Sequence, residues 1–318
     1  MNWPKEKKVL ALCGGVGGAK LALGLTKVLP PEQLSIAVNT ADDFDHLGLR
    51  ICPDLDTVTY TLAEVNNREA GWGRADESWH CMEALAELGG ETWFKLGDRD
   101  IATHLFRRSQ LNQGLSVSQV TANLCQNLGI AHSVFPMSDD PVGTEVKTDN
   151  GWLNFQHYFV QQQCRPKINE IRFVGAEVAQ PSPKFKAALK DSNLGCVIIC
   201  PSNPFLSIDP VLAVCGIRKL LTEIDAPVIA VSPVIGGKAV KGPTAKIMQE
   251  LALEITPNTV VSHYADFLSG FVLDSQDAEQ QNRLPASITV QVCNTLMISL
   301  QDRIDLAKEC LLLAQRIG

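Results

Sequence analysis

The stretch that decides the fold is Val9–Asn39, VLALCGGVGGAKLALGLTKVLPPEQLSIAVN. It predicts a short apolar strand at Val9–Cys13, a glycine-rich loop, a helix over Ala19–Leu29 and a second strand at Leu34–Asn39. Short apolar strands that alternate with amphipathic helices are typical of a parallel sheet covered by helices on both faces. The beginning of the chain therefore predicts an α/β fold.

The same pattern returns in the last third of the chain. Apolar strands are predicted at Cys196–Cys200 and Val228–Val231. Each is followed by a loop rich in Pro or Gly and then by a helix, near Pro210–Glu223 and Thr244–Leu253. These units indicate that the parallel sheet continues after a long interruption.

The interruption has a different character. Residues from about 70 to 130 are predicted as helices, and residues from about 143 to 175 as short antiparallel strands with a hairpin turn at Asp149–Gly151. We therefore predict an α/β, Rossmann-like, doubly wound and mostly parallel sheet with an inserted helical and β-hairpin region. In this interpretation residues 1–318 form a single domain, with the core in 1–70 and 190–318 and the insertion in 71–189.

Composition narrows the class of protein. The chain has 318 residues, 45% of them hydrophobic, and a formal net charge of -7, which disfavours non-specific binding to nucleic acid or anionic membranes. The ten Cys lie singly in apolar runs without zinc spacing, so we expect buried, reduced thiols. No run is long enough for a signal peptide or a membrane span. We expect a cytoplasmic enzyme.

The glycine loop CGGVGGAK lies where a strand turns into a helix. Glycines allow backbone amides to approach an anion closely, and the helix N-terminus favours negative charge. The loop matches neither the dinucleotide motif GxGxxG nor the P-loop, and close packing of strand and helix is the alternative. We predict that it binds phosphate through Gly14, Gly15, Gly17, Gly18 and Lys20.

Carboxylates gather after the second predicted strand, in NTADDFDHLG and CPDLDT. Five of them fall within fifteen residues: Asp42, Asp43, Asp45, Asp54 and Asp56. Open α/β sheets bind ligands at the carboxyl edge, and acidic groups this close repel one another unless a cation is present. Mg²⁺ is suited to such a site because it takes one or two carboxylates together with phosphate and water. The alternative is that Asp42 or Asp54 caps the following helix.

Further polar runs follow other predicted elements. KLGDRDIATH contains Lys95, Asp98 and His104; here Asp98 could cap the helix and His104 could be a packing residue. PSNPFLSIDP places Ser202 and Asn203 after a strand, and SPVIGGKAVKGP places Gly236, Gly237, Lys238 and Lys241 after another. Donor-rich loops on one edge of a sheet indicate an elongated ligand with several phosphates.

Taken together, these runs resemble the 2-phospho-L-lactate transferase family. The matching runs are CGGVGGAKLALGL, VNTADD, PDLDTV, KLGDRDIATH, PMSDDPV, PSNPFLSI and AVSPVIGGKAVKGPTAK, in collinear order over nearly the whole chain. The resemblance implies a Rossmann-like core and a homodimer.

The resemblance also implies a reaction. A guanosine diphosphate that carries lactate, enolpyruvate or a related three-carbon acid would be the donor, and the terminal ribityl hydroxyl of 7,8-didemethyl-8-hydroxy-5-deazariboflavin (Fo) the acceptor. GMP would leave, Mg²⁺ would be required, and the product would be a precursor of coenzyme F(420). The stretch FDHLGLRICPDLD is closer to bacterial members of the family, whose donor is often the enolpyruvyl compound.

Specific residues follow from the matched runs. The family's Fo-contacting residues correspond to Asp56 and Lys95, its phosphate loop to the glycine loop, and Asn203 is the natural candidate for guanine. We predict Mg²⁺ on Asp43 and Asp56, with Asp56 alternatively accepting the proton of the attacking hydroxyl. A related regulatory family that binds nucleotide sugars without transfer is the alternative function. A NAD-dependent dehydrogenase is disfavoured because GxGxxG is missing.

Overall fold

The structure is a computed structural model and describes residues 3–239 and 243–318. Its centre is a seven-stranded sheet in which all neighbouring strands are parallel. The strands of the described residues are, in chain order, β1 (Lys8–Cys13), β2 (Leu34–Val38), β3 (Phe44–His46), β4 (Leu49–Ile51), β5 (Ser133–Pro136), β6 (Gly143–Thr148), β7 (Gly151–Asn154), β8 (Glu170–Val174), β9 (Leu194–Ile199), β10 (Val228–Val231), β11 (Val234–Ile235), β12 (Lys238–Ala239), β13 (Gly270–Asp274) and β14 (Thr289–Cys293).

Helices surround this sheet. The α-helices of the described residues are α1 (Gly15–Thr26), α2 (Pro53–Leu62), α3 (His80–Glu87), α4 (Asp98–Asn112), α5 (Val117–Asn127), α6 (Pro183–Leu189), α7 (Asp209–Ala213), α8 (Ile217–Glu223), α9 (Thr244–Glu250), α10 (Pro257–His263) and α11 (Leu300–Ile317). Two π-helical turns, His157–Gln161 and Pro204–Ile208, interrupt the longer connections.

The strand order confirms the predicted doubly wound topology. Across the sheet the order is β14-β13-β10-β9-β1-β2-β5. From β1 the chain first builds outward through β2 and β5, and then returns to build the other half from β9. The order therefore reverses between β1 and β9, and in open α/β sheets the crevice at such a point binds ligands.

Each face of the sheet has its own hydrophobic core. On one face α1, α2 and α11 bury residues such as Leu21, Val58 and Leu311 against the strands. On the other face α7, α8 and α10 contribute residues such as Val211 and Val260. The strands are apolar almost throughout because both of their faces are covered.

One crossing of two helices is unusually tight, and it yields a stability prediction. A Cβ atom at Gly24 in α1 would lie 2.0 Å from the carbonyl oxygen of Arg303 in α11. We expect Gly24→Ala to lower the free energy of unfolding by about 1–3 kcal/mol, because overpacking outweighs the better helix propensity of Ala. Denaturant unfolding measures this effect. Gly143→Ala is the control, since nothing lies within 4 Å of its Cβ position; equal stability of both variants would contradict the prediction.

The region between the two halves of the core contains the predicted helices and the predicted hairpin. Helices α3, α4 and α5 lie there, and β6 pairs with β7 across a turn at residues 149–150. Strand β8 adds to this hairpin to give a three-stranded sheet. One strand of the main sheet, β5, also comes from the stretch 71–189, so inserted material lies on both sides of a core strand. The division into core and insertion otherwise stays a prediction.

In the described residues no helix is long and apolar enough to cross a membrane. All ten cysteines are free thiols, and Cys13, Cys52, Cys125, Cys196, Cys200 and Cys310 are buried as predicted. The prediction of burial is wrong for Cys81 and Cys215, which are exposed.

Candidate active site at the carboxyl edge of the sheet

A cavity of about 690 Å³ opens where the order of the strands reverses. The loops that follow β1, β9, β10 and β14 line it with Gly14–Gly17, Pro201–Asn203, Ser232–Pro233 and Thr295–Met297. Of the residues predicted from the sequence, the cavity brings together Gly14, Gly15, Gly17, Lys20, Asp56, Lys95, Ser202 and Asn203. Gly18 and Asp43 are not among its lining residues.

Most positions of the glycine loop are packed too tightly for a side chain. A Cβ atom at Gly17 would lie 2.2 Å from the carbonyl oxygen of Pro201, and one at Gly18 would lie 2.6 Å from Ser202 Oγ. Gly15 has a φ of +61°, a left-handed conformation that favours glycine. The alternative interpretation of the loop, close packing of strand and helix, thus accounts for Gly18. It does not exclude phosphate binding by the residues that face the cavity.

Two of the loop amides already have acceptors. The N–H of Gly14 donates to Ser202 Oγ at 3.1 Å, and the N–H of Gly15 donates to Asp54 Oδ1 at 2.7 Å. The following amides, of Val16 and Gly17, lie in the first turn of α1, where no intrahelical acceptor is available. Both residues line the cavity. These amides are therefore the ones placed to bind an anion at the helix N-terminus.

Lys20 and the loop after β9 complete this side of the cavity. Lys20 Nζ donates to the carbonyl oxygen of Met297 at 2.8 Å. Ser202 Oγ also donates back to the Gly14 carbonyl, so this hydroxyl joins the two loops at the reversal of strand order. Asn203 caps the π-helical turn Pro204–Ile208, because its Oδ1 accepts the N–H groups of Phe205 and Leu206. The contact of Asn203 with guanine stays a prediction. Because Oδ1 is occupied, the side-chain amide nitrogen is the atom that could make this contact.

The buried carboxylates at the cavity are partly unpaired. Asp54 does not cap its own helix, α2; it accepts from Gly15 at the start of α1 and from Asn39 Nδ2 at 3.0 Å. Burial raises the pKa of Asp54 to about 6, and burial together with the charge of Asp54 raises the pKa of Asp42 well above its usual range. Asp42 Oδ1 is buried and has no hydrogen-bond partner. Such groups are expected where a cation normally compensates negative charge.

Asp43 points to a different environment from its neighbour. Arg50 lies 3.8 Å from Asp43 Oδ2, and burial, only partly offset by that guanidinium, raises the pKa of Asp43 to about 7. It is buried but, unlike Asp42, does not line the cavity. The structure thus places Asp42, rather than the predicted Asp43, on the wall.

Asp56 lies at the cavity and contacts a residue that sequence analysis missed. Arg107 of α4 is only 3% exposed, and its Nη2 donates to Asp56 Oδ1. The other carboxylate oxygen, Oδ2, is buried without a hydrogen-bond partner. The spacing of Asp100, His104 and Arg107 along one helix face was the available signal, because residues four and three apart lie together.

Lys95 reaches the cavity from the connection between α3 and α4, two helices that cap each other. Glu77, just before α3, accepts the N–H groups of Arg99 and Asp100 at the start of α4. Asp98 accepts the N–H groups of His80 and Cys81 at the start of α3. The prediction that Asp98 caps its own helix is therefore wrong, since its side chain turns back to the preceding helix. These reciprocal caps fix the segment that carries Lys95.

Aromatic side chains, also missed from the sequence, line the part of the cavity near Lys95. They are Trp72, Trp93, Phe94, Phe155 and Phe159. Phe155 and Phe159 are stacked with ring centroids 5.3 Å apart, and Phe159 belongs to the π-helical turn His157–Gln161. Because these residues come from separate segments of the chain, no local motif predicted them. Such surfaces suit a flat aromatic ligand.

Two other predicted runs contain residues that serve the scaffold, although the loop after β10 also lines the cavity through Ser232 and Pro233. In PMSDDPV, Ser138 Oγ donates to the Gln180 carbonyl, and Asp139 Oδ1 accepts from Ser118 N–H. In the loop after β10, the Gly236 N–H donates to Asp277 Oδ2 at 2.8 Å, while Lys241 lies outside the described residues.

The residues present fit a divalent cation that shares its coordination with phosphate. Within residues 3–239 and 243–318, no three His, Cys, Asp or Glu side chains are grouped so as to hold a metal by themselves. Mg²⁺ does not require such a cage, because it is commonly bound by one or two carboxylates together with phosphate oxygens and water. Asp42 Oδ1 and Asp56 Oδ2 are buried, unpartnered oxygens of residues that line the cavity. These two atoms are the best candidates for protein ligands.

Comparisons with known proteins agree with this picture. The chain matches the family described as 2-phospho-L-lactate transferase CofD over residues 9–294. A phosphoenolpyruvate transferase of Streptomyces coelicolor is 36% identical over 317 residues, which cover 98% of this chain and 99% of the relative. A 2-phospho-L-lactate transferase of Methanosarcina mazei is 38% identical over 270 residues, which cover 85% of this chain and 88% of the relative.

Among solved structures, protein BH3568 of Bacillus halodurans superposes with a TM-score of 0.62 at 15% identity, covering 97% of this chain and 100% of that one. At this identity the similarity concerns the fold alone.

The fold and the cavity define a Rossmann-like α/β protein whose ligand site lies at the reversal of strand order. The extent of the sequence match makes the class more specific. The chain belongs to the CofD family of 2-phospho-L-lactate transferases, and it is a transferase.

Proposed function

We propose that this protein transfers a phosphorylated three-carbon acid from a guanosine diphosphate donor to Fo, in the synthesis of coenzyme F(420). The terminal ribityl hydroxyl oxygen of Fo attacks the phosphorus that carries the three-carbon acid. A new P–O bond forms, the bond from that phosphorus to the bridging oxygen breaks, and GMP leaves with that oxygen. The hydroxyl proton is released, and the product is a phosphodiester.

The observation that carries this proposal is the family match over residues 9–294, joined to a cavity that gathers the matched runs. Relatives named phosphoenolpyruvate transferase and 2-phospho-L-lactate transferase both match at 36–38% identity. The Streptomyces relative matches over 98% of this chain and the methanogen relative over 85%. Relatives of both names thus match at similar identity, and the enolpyruvyl donor is proposed because the stretch FDHLGLRICPDLD resembles bacterial members of the family.

The donor's diphosphate is proposed to lie at the N-terminus of α1. The first-turn amides of Val16 and Gly17 supply hydrogen-bond donors, and Lys20 supplies a positive charge on the same wall. Mg²⁺, when bound through Asp56 and Asp42, would neutralise charge on the diphosphate and on the leaving GMP. Phosphoryl transfer depends mainly on positioning and charge neutralisation, and these residues provide both.

The acceptor is proposed to lie at the aromatic end of the cavity. The deazaflavin ring would pack against the side chains around Trp93 and Phe159, and its ribityl chain would extend toward Asp56. Lys95, which also lines the cavity, would hold the acceptor in register with the donor. This arrangement separates the nucleotide from the deazaflavin and leaves the reacting hydroxyl between them.

Lys95→Ala tests the acceptor end. We expect the apparent KM for Fo to rise by roughly tenfold while the KM for the donor changes little, because only one of the two substrates loses a contact. Steady-state kinetics with each substrate varied in turn provide the measurement. Lys5→Ala, at an exposed position near the N-terminus, is the control. A larger change in donor KM than in Fo KM would contradict the assignment.

The function itself is tested with purified protein, Fo, Mg²⁺ and each of the two donors, lactyl and enolpyruvyl. We expect stoichiometric release of GMP that depends on Fo, with a faster rate for the enolpyruvyl donor. The alternative is a regulatory protein that binds nucleotide sugars. Such a protein would show binding of nucleotide sugars in calorimetry and would release no GMP.

We further propose that the protein is a cytoplasmic homodimer. Light scattering after size-exclusion chromatography tests the dimer.

A further inference from the structure

A cluster of buried polar side chains connects α2 and α4 at the wall of the cavity, which Tyr60, Asp100 and His104 line. Tyr60 Oη donates to Asp100 Oδ1 at 2.6 Å, and His104 Nε2 lies 3.5 Å from the same oxygen. On its other side the His104 ring faces Arg107, whose Nη1 lies 3.0 Å from Nδ1. Arg107 in turn donates to Asp56. These contacts thus lead from Tyr60 to Asp56, which the sequence predicted to be a functional residue.

The charge of Arg107 fixes the orientation of the groups around it. A guanidinium remains protonated in proteins and cannot accept a hydrogen bond. His104 Nδ1 must therefore be the acceptor in this contact, whereas Nε2 lies 3.5 Å from Asp100 Oδ1 and has no hydrogen-bond partner. The same Arg107 Nη1 also donates to the Arg50 carbonyl at 3.0 Å. Arg107 is thus held by three groups at once, in a geometry that only its planar fork provides.

The two oxygens of Asp56 consequently differ. Oδ1 is occupied by Arg107, whereas Oδ2 is buried and has no hydrogen-bond partner. His104 Nδ1 lies 3.8 Å from Oδ2, beyond hydrogen-bond distance, and it is already an acceptor. A buried carboxylate oxygen without a partner is costly, and Asp56 lines the cavity. Its missing partner is therefore expected from the ligand side.

We propose that Arg107 is a positioning residue, which holds Asp56 by one oxygen and leaves the other as a single ligand for a divalent cation. This proposal rests on the proposed function and decides between the two roles that remained open for Asp56. With Oδ1 occupied by Arg107 and Oδ2 assigned to the cation, neither oxygen is left to accept the proton of the attacking hydroxyl, so Asp56 binds and does not act as the general base. His104, whose Nδ1 accepts from Arg107, helps to keep Arg107 turned toward Asp56.

The pair does not have the features of a purely structural ion pair. Buried ion pairs contribute little to stability relative to apolar residues of similar volume, and structural pairs normally have their remaining oxygens satisfied. Here one carboxylate oxygen of a residue that lines the cavity is left unsatisfied. Arg108, the next residue of α4, offers the contrast: it pairs with Asp45 at the surface, where Asp45 is 60% exposed.

Calorimetry measures the binding of Mn²⁺ to the full-length protein in the presence of GDP. This experiment tests the proposal without Fo and without a measurement of transfer activity. We expect Arg107→Met to weaken Mn²⁺ binding at least tenfold and Arg108→Met to leave it unchanged. Arg107→Lys keeps the charge but not the fork, so we expect it to fold and to bind Mn²⁺ about three- to tenfold more weakly. In the double variant Asp56→Asn/Arg107→Met we expect the melting temperature to recover and Mn²⁺ binding to stay lost.

Unchanged Mn²⁺ affinity in folded Arg107→Met or Arg107→Lys would overturn the proposal, and so would a wild-type protein that binds no Mn²⁺. If Arg107→Met does not fold, Arg107→Lys and the double variant carry the test. Failure of the proposed function is distinguishable, because it would appear as absent transfer to Fo while the effects on Mn²⁺ binding persisted.

Discussion

Asp56→Asn is expected to lower the single-turnover rate by on the order of 10²–10⁴-fold. Charge stabilisation by a bound metal is worth several kcal/mol, and each 1.4 kcal/mol corresponds to about tenfold in rate. Asn removes the charge of the carboxylate that lies at the cavity but keeps an amide oxygen that can accept from Arg107. Rapid-quench measurement of GMP formation with saturating donor and Fo determines the rate.

The same variant is also expected to lose stability, because Arg107 is buried and its charge is left uncompensated. Breaking a buried pair costs at most about 3–5 kcal/mol, so rates must be compared below the lowered melting temperature. Asp45→Asn is the matched control: it removes a surface partner of the neighbouring Arg108, and such pairs contribute about 0–1 kcal/mol. A folded Asp56→Asn protein with the wild-type rate would exclude a functional role for this carboxylate.

Removal of divalent cations is expected to abolish transfer. The physical reason is the buried carboxylate cluster, in which burial raises the pKa values of Asp42 and Asp54 and one oxygen each of Asp42 and Asp56 has no partner. Excess chelator should reduce the initial rate at least about 10³-fold, and added Mg²⁺ should restore it. Full activity in excess chelator, with free Mg²⁺ below micromolar levels, would rule out the metal.

Two neighbouring residues distinguish the ligand set. Asp42→Asn should raise the Mg²⁺ concentration needed for half-maximal rate, because Asp42 lines the cavity. Asp43→Asn should change it much less, because Asp43 lies behind the wall beside Arg50. A larger effect of Asp43→Asn than of Asp42→Asn on the Mg²⁺ requirement would instead support Asp43 and Asp56, the ligand pair predicted from the sequence.

Local sequence patterns were sufficient to predict much of the sheet. Strands β1, β2, β9 and β10 are short apolar runs, and each lies within two residues of its predicted bounds. Strand β5, SVFP, is only four residues long and ends in Pro, so neither periodicity nor length distinguished it from a loop. Its place at the edge of the sheet is set by pairing with β2, which is a long-range contact.

The parts of the site that lie in a loop with a characteristic composition could be predicted from the sequence. The glycines after β1, which pack close to Asp54 and Pro201, line the cavity as predicted, and so do the polar residues after β9. Arg107 was missed, although it shares a helix face with Asp100 and His104, because its partner Asp56 lies 51 positions away in the chain. Asp42 rather than Asp43 lines the cavity, and two adjacent aspartates in the sequence do not show which of them faces it.

The most direct test of the central claim is the mass of the deazaflavin after incubation of the purified protein with Fo, the enolpyruvyl guanosine donor and Mg²⁺. The account predicts that Fo gains the mass of one enolpyruvyl phosphate joined as a diester, with one GMP formed per product. It also predicts that neither appears at a comparable rate with Asp56→Asn. Recovery of unmodified Fo after prolonged incubation with the enolpyruvyl donor, and likewise with the lactyl donor, would contradict the account.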